Sequence, residues 1–214
     1  MAFYIDAADR VLIEELWGSG VFAGVTTNPT ILDRAGLGQR DVPDLYAWLT
    51  DLGVGTVYVQ VVGRSRDEML RSADSIRSLG PVTVKVPATA AGFAAAGALV
   101  DDGAQVLLTA VYHPVQALLA RDRGIQGVAP YVGRMTDAGR DGVESVISMQ
   151  QAVGTQPTRI LAASLRSAED VARLAAAGVP DFTLGGPLAR AVLDDELTRA
   201  AVEEFESASA KRPL

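Results

Sequence analysis

The sequence predicts a (β/α)8 barrel, on three observations. Short β-branched or apolar runs recur eight times, a helical pattern separates successive runs, and 214 residues allow about 27 per repeat, which suits a compact barrel. Alternating strands and helices imply parallel pairing through right-handed crossovers. A six-stranded doubly wound sheet would leave strands over. No Pro/Gly/Ser-rich linker or low-complexity segment divides the chain, so one barrel domain is expected over 1–214.

The runs are FYID at 3–6, GVTT at 24–27, TVYVQV at 56–61, VTVKV at 82–86, QVLLT at 105–109, GVAPY at 127–131, RILAAS at 159–164 and DFTLG at 181–185. Between them, 66–79 and 167–178 space apolar residues by three and four, the period of an amphipathic helix. The second opens on Ser167, a helix-capping residue type, and closes on Gly178. A final C-terminal helix is expected over 193–210, running into a polar tail at 207–214 read as mobile.

Hydrophobic residues make up 49% and charged residues 21%, the balance of a folded globular chain. A net charge of −7 without a basic run argues against nucleic acid and anionic membranes as partners. The absence of cysteine excludes disulfides, thiolate metal sites and cysteine nucleophiles. The N-terminus lacks a basic region followed by an apolar stretch, and no apolar run is long enough for a membrane span, so a cytoplasmic protein is expected.

A barrel of this kind gathers its active site at the C-terminal ends of the strands. Those ends carry Asp6; Thr26, Thr27 and Asn28; Gln60; Lys85; Thr109; Tyr131; Ser164; and Gly185 with Gly186. Taken singly, most have a plain structural reading: Asp6 could cap the first helix, TTNPT could form a turn, and Tyr131 could be a rim aromatic.

Lys85 is harder to dismiss. Period-two alternation sends Val82, Val84 and Val86 to one face, under the outer helices, and Thr83 and Lys85 to the other, into the barrel. Two readings follow. In one, Lys85 forms a buried ion pair with Asp6, although such a pair adds little net stability over apolar filling. In the other, desolvation leaves more free amine to attack a ketone carbonyl as a Schiff-base lysine. Asp6, Gln60, Thr109 and Tyr131 could then move protons through a held water.

Metal chemistry fits poorly. His113 is the only histidine and reads as a loop or cap residue, and the strand ends offer only Asp6 as a carboxylate. No metal and no cofactor is expected. A phosphate would sit at the loops after strands seven and eight, where Ser164, Leu165, Arg166 and Ser167, and then LGGPLARA, occur; Arg134 adds a cation at the same rim.

The chain resembles the transaldolase family, and its fructose-6-phosphate aldolase branch in particular. The resemblance runs nearly end to end through YIDAAD, GVTTNPTIL, VQVV, VKVPAT, LLTAVY, VAPYVGR, the DG at 141 and 142, ILAASLRS and the FE of the terminal helix. It implies a class I aldolase barrel in which Lys85 forms the Schiff base. It further implies that Asp6, Gln60, Thr109 and Tyr131 handle protons and the catalytic water, that Asn28 binds the donor, and that Arg134, Ser164 and Arg166 form the acceptor phosphate pocket. Thr26 and Thr27 are counted with the substrate-binding set. Gln60 and Tyr131 match the aldolase branch, where transaldolases carry glutamate and typically phenylalanine. LGGPLARAV, Arg166 and GRSRDE depart from the branch pattern and bear on acceptor preference.

The reading expected from these residues is cleavage or formation of fructose 6-phosphate from a small ketone donor, dihydroxyacetone or hydroxyacetone, and glyceraldehyde 3-phosphate or a related aldehyde. The alternative is a transaldolase moving a dihydroxyacetone unit between sugar phosphates. A third is a non-catalytic sugar-phosphate-binding barrel. By resemblance, the partners are small ketones, aldehydes and sugar phosphates, and further copies of the chain in a pentamer or decamer.

Overall fold

Parallel strands wind once around a closed barrel in the order β1 to β8, with β1 hydrogen-bonded to β8. The computed structural model describes residues 1–154 and 157–211. The strands are β1 Ala2–Asp6, β2 Gly24–Thr26, β3 Val57–Gln60, β4 Thr83–Pro87, β5 Val106–Val111, β6 Gly127–Pro130, β7 Arg159–Ala162 and β8 Asp181–Leu184. All eight expected runs form strands, with ends shifted by one or two residues.

Around them lie α1 Arg10–Trp17, α2 Pro29–Arg34, α3 Val42–Asp51, α4 Arg66–Arg77, α5 Ala90–Asp101, α6 Pro114–Asp122, α7 Val132–Asp137, α8 Gly142–Val153, α9 Ala168–Ala176, α10 Gly186–Leu193 and α11 Glu196–Ala210, with a 3-10 turn over Gln39–Asp41. Local chemistry sets the starts. The Ser65 hydroxyl accepts from Glu68 N and the Glu68 carboxylate accepts from Ser65 N, a reciprocal cap on α4. Ser167 caps α9 through Asp170 N at 3.0 Å, and Gly178 beyond that helix has φ +86°, a left-handed stop.

The final helix expected over 193–210 forms as α11, beginning at Glu196. The Asp195 carboxylate accepts from Leu197 N and Thr198 N and starts α11 afresh after α10 has ended at Leu193. Helix α11 runs to Ala210, so 207–210 of the expected tail is helical; 212–214 lie outside the described residues. No residue of α11 is buried, and its Leu197 and Phe205 are 80% and 67% exposed.

The core has two layers. Outside the sheet, Val84 and Val86 join Val106, Leu108 and Val128 against the helices. Inside, Tyr4, Leu107, Ala129, Tyr131, Leu161 and Ala163 fill the barrel. Its floor is closed where Arg159 donates to both carboxylate oxygens of buried Asp181 at 2.6 Å and the Tyr4 and Tyr58 rings meet edge to face. The open end is therefore the other one, where the strands finish.

Helix α5 comes very close to that end. A Cβ on Gly92 would fall 1.8 Å from the Pro87 carbonyl oxygen, so only glycine lets the helix start directly against the end of β4.

Candidate active site

Lys85 is the third residue of β4, points into the barrel and is 3% exposed. Its Nζ donates to the Thr27 carbonyl at 2.8 Å. Among the described residues it enters no ion pair, so the buried pair with Asp6 is not formed. The Asp6 carboxylate instead accepts from the Thr26 hydroxyl at 2.7 Å, and Thr26 shares a second bond of 2.6 Å with Thr183. With the Thr26 proton committed to Asp6, Thr183 is the donor in that second bond.

Neither bland reading of Asp6 survives. Asp9, three residues on, is the α1 cap, accepting from Leu12 N at 2.8 Å. That leaves the Asp6 carboxylate free to face the interior.

Electrostatics favour proton exchange at this spot. Burial pushes the Lys85 ammonium below the ordinary lysine range, and the Asp6 carboxylate draws it part of the way back. Burial pushes Asp6 above the usual carboxylate range, against the pull of Lys85, the Thr26 hydrogen bond, Arg34 and Arg134. Both shifts point toward a free amine beside a carboxyl that holds its proton more tightly than a surface aspartate would.

Tyr131 continues β6 through a bridge to Ala163 and stands at the start of α7. Its hydroxyl is 2.8 Å from Thr109 Oγ1, its ring meets the edge of Tyr112 and the Arg134 guanidinium lies 5.0 Å over its face. Burial raises the phenol pKa, so Tyr131 remains a proton donor at neutral pH. The register of β5 against β6 shifts at Ala110, whose φ is +55°, and this bulge bends the strand end beside Tyr131.

A cavity of about 420 Å³ opens here, with Asp6, Asn28, Lys85, Tyr131, Arg134, Ser164 and Arg166 on its wall. Asn28 also caps α2, its side-chain oxygen accepting from Ile31 N at 3.0 Å. Ser164 has φ +57°, an uncommon left-handed value for a non-glycine residue. Its carbonyl accepts from Gly133 N at 2.8 Å. A Cβ on Gly133 would lie 2.6 Å from Arg166 Nε, so the bare backbone leaves room for that guanidinium, which pairs with Asp137.

Not every expected residue reaches the cavity. Thr26 and Thr27 are 0% and 1% exposed and lie beneath it, holding Asp6 and Lys85 by hydrogen bonds rather than facing a ligand. Gln60 is the register neighbour of Lys85, yet it lines an adjoining depression with Pro29, Val62, Arg64 and Pro87. Thr109 stands behind Tyr131. Gly186, expected at a phosphate, sits where a Cβ would strike Leu12 at 2.6 Å, so its role is packing α10 on α1. His113 caps α6, with Nδ1 accepting from Val115 N at 3.2 Å.

Two charged wall residues escape the strand-end reading: Arg34 and Asp137, both on helices. The signal for Arg34 was present, because Thr30 and Arg34 are one helical turn apart just after the Asn28 cap. Among the described residues no group of three or more His, Asp or Glu side chains could hold a metal ion, and no helix is long and apolar enough to cross a membrane. A second cavity, about 490 Å³ between α3 and α4, contains none of these groups.

Fold and site together define a (β/α)8-barrel enzyme with its chemistry at the C-terminal ends of the strands. The transaldolase/fructose-6-phosphate aldolase family model matches residues 3–212. A probable transaldolase of Cereibacter sphaeroides is 33% identical over 99% of this chain and 96% of its own length. Others from Hyphomonas neptunium and Alkaliphilus metalliredigens are 34% and 33% identical, each over 96% of this chain and 95% and 96% of theirs. A mandelate oxidase structure with (S)-2-phenylpropionate aligns over 98% of this chain and 73% of its own at a TM-score of 0.61, but at 16% identity it shares the fold alone. The chain belongs to the transaldolase/fructose-6-phosphate aldolase family.

Proposed function

We propose that Lys85 carries a three-carbon dihydroxyacetone unit as a Schiff base and transfers it from a ketose phosphate to an aldose phosphate, the transaldolase reaction. The observation that carries this reading is a nearly inaccessible lysine at the end of β4, without a carboxylate partner among the described residues, on the wall of a cavity rimmed by arginines.

The amine attacks the ketone carbon, and the carbinolamine loses water to give an iminium. Asp6 takes the proton of the hydroxyl on the fourth carbon; the bond between the third and fourth carbons breaks, its electron pair passes into the enamine, and an aldehyde leaves. The enamine carbon then attacks the second aldehyde, whose oxygen takes the proton back. Hydrolysis of the new iminium returns the amine.

The names of the relatives support transfer over release, which places the transaldolase ahead of the aldolase that the sequence put first. A specific observation keeps the aldolase as a second reading. The Tyr131 hydroxyl, held at 2.8 Å from Thr109 on the cavity wall, is a donor that can protonate the enamine and free dihydroxyacetone. Incubation with fructose 6-phosphate, with and without erythrose 4-phosphate, compares free dihydroxyacetone with sedoheptulose 7-phosphate. Predominant transfer supports the lead reading, and predominant release the second. Tyr131→Phe should shift the ratio severalfold toward transfer; an unchanged ratio removes Tyr131 from the partition.

We assign Arg134, Arg166 and Ser164 to the acceptor phosphate on their position at the cavity wall. Arg134→Ala should raise KM for a phosphorylated acceptor about tenfold, and more than for the same aldehyde without phosphate. Equal losses on both acceptors would contradict the assignment. Gln60, outside the cavity, is proposed to act through the water of its own depression.

We also propose a homo-oligomer, a pentamer or decamer, working in the cytoplasm. Leu197 and Phe205 are two helical turns apart on α11 and exposed to a degree that a second copy would cover. Light scattering on the eluting protein should give the mass of several chains, and a monomer mass would reject this.

A further inference from the structure

We infer that Arg34 sets the charge preference of the cavity, selecting substrates that end in a dianionic phosphate over those that end in a single negative charge. The inference deepens the sugar-phosphate reading above and rests on it. Thr30, Ile31 and Arg34 fall on one face of α2, and all three line the cavity that holds Lys85.

The topology puts Arg34 opposite Arg134. Helix α2 follows β2, whereas Arg134 follows β6; in a closed ring of eight strands these are half a turn apart. Arg34 and Arg134 thus face each other across the mouth. Both are exposed and neither has a carboxylate partner among the described residues, while Arg166 is tied to Asp137. Arg34 also acts on the interior, helping to hold down the Asp6 pKa as Arg134 does.

Charge counting gives the specificity. On the cavity wall Arg34, Arg134 and Arg166 stand against Asp137, and deeper in Lys85 and Asp6 offset each other, which leaves two net positive charges. A phosphate ester carries close to −2 at neutral pH, so the match is nearly complete. Without Arg34 one net charge remains, which suits a monoanion as well as a phosphate. The planar fork of Arg34 can meet phosphate oxygens from the side that Arg134 leaves open.

Glycerol 3-phosphate and glycerol 3-sulfate have the same frame and differ in charge, and titration calorimetry of both separates charge from shape without needing turnover. Wild type should bind the phosphate more tightly. Arg34→Ala should weaken the phosphate about tenfold and the sulfate far less, collapsing the preference, whereas Arg34→Lys should keep most of it. An unchanged phosphate-to-sulfate ratio in Arg34→Ala, or no preference in wild type, overturns the inference. A borohydride adduct on Lys85 tests the chemistry separately. An adduct with an unchanged ratio removes the role of Arg34 alone, and a missing adduct in wild type removes the Schiff base instead.

Discussion

Lys85→Met should lower turnover by at least about 10⁴-fold, because among the described residues Lys85 is the only group on the cavity wall that can form the covalent intermediate. Borohydride added with fructose 6-phosphate or dihydroxyacetone should leave a stable mass on Lys85 of the wild type and none on the variant. The fold should survive. Losing a buried ammonium relieves a desolvation cost, losing the donor to the Thr27 carbonyl incurs one, and the two offset to within about 2 kcal/mol in urea unfolding. An adduct on another lysine, or none at all with any ketone, would end the proposed mechanism.

The pH dependence has a definite sign. Attack needs the free amine, and burial lowers the Lys85 pKa beneath the ordinary lysine value of 10.5. The trapping rate should therefore climb with pH through a limb below 10.5 and level off above it. A limb at or above 10.5 would mean that the amine is solvated and the burial argument fails.

Asp6→Asn should cost about 10² to 10⁴-fold in turnover, the range for loss of a positioned proton carrier. Asparagine can still accept from Thr26, so the local hydrogen bond is retained and the loss reports chemistry. The negative charge of Asp6 raises the Lys85 pKa, so removing it should move the trapping limb to still lower pH. This pairs a slower reaction with an amine that is free at lower pH, a combination that a merely structural role for Asp6 would not produce. Turnover near the wild-type level, or a limb displaced upward, would count against Asp6 as the proton carrier.

Part of the site was legible because it follows from backbone geometry. In VTVKV the two-residue period aims Lys85 inward wherever the strand is placed, and burial of Val84 and Val86 on the other face agrees. The Ser167 cap and Gly178 stop were equally local. The start of α11 is local too: Asp194 and Asp195 interrupt the helical run after α10, and Asp195 caps the final helix at Glu196.

Other assignments depended on distances that no local pattern contains. Strand order alone left an Asp6–Lys85 ion pair open as one of two readings, and it is the Thr26 hydroxyl and the Thr27 carbonyl that take up their hydrogen bonds instead. Thr26 and Thr27 looked like ligand contacts because they end a strand, but β2 stops at Thr26 and buries both. Gln60 shares the register of Lys85, yet it lines a different depression.

By itself the sequence determined the eight strands, the inward face of the fourth and the lysine it carries, because periods of 2 and 3.6 residues are properties of the backbone. Tertiary structure alone decided that Lys85 has no carboxylate partner among the described residues and that Arg34, on a helix, joins Arg134 and Arg166 around one cavity. The reason is closure of the barrel. It brings residues 6, 34, 85, 134 and 166 to one rim, and the distances between groups so far apart in the chain are set by how the whole ring packs.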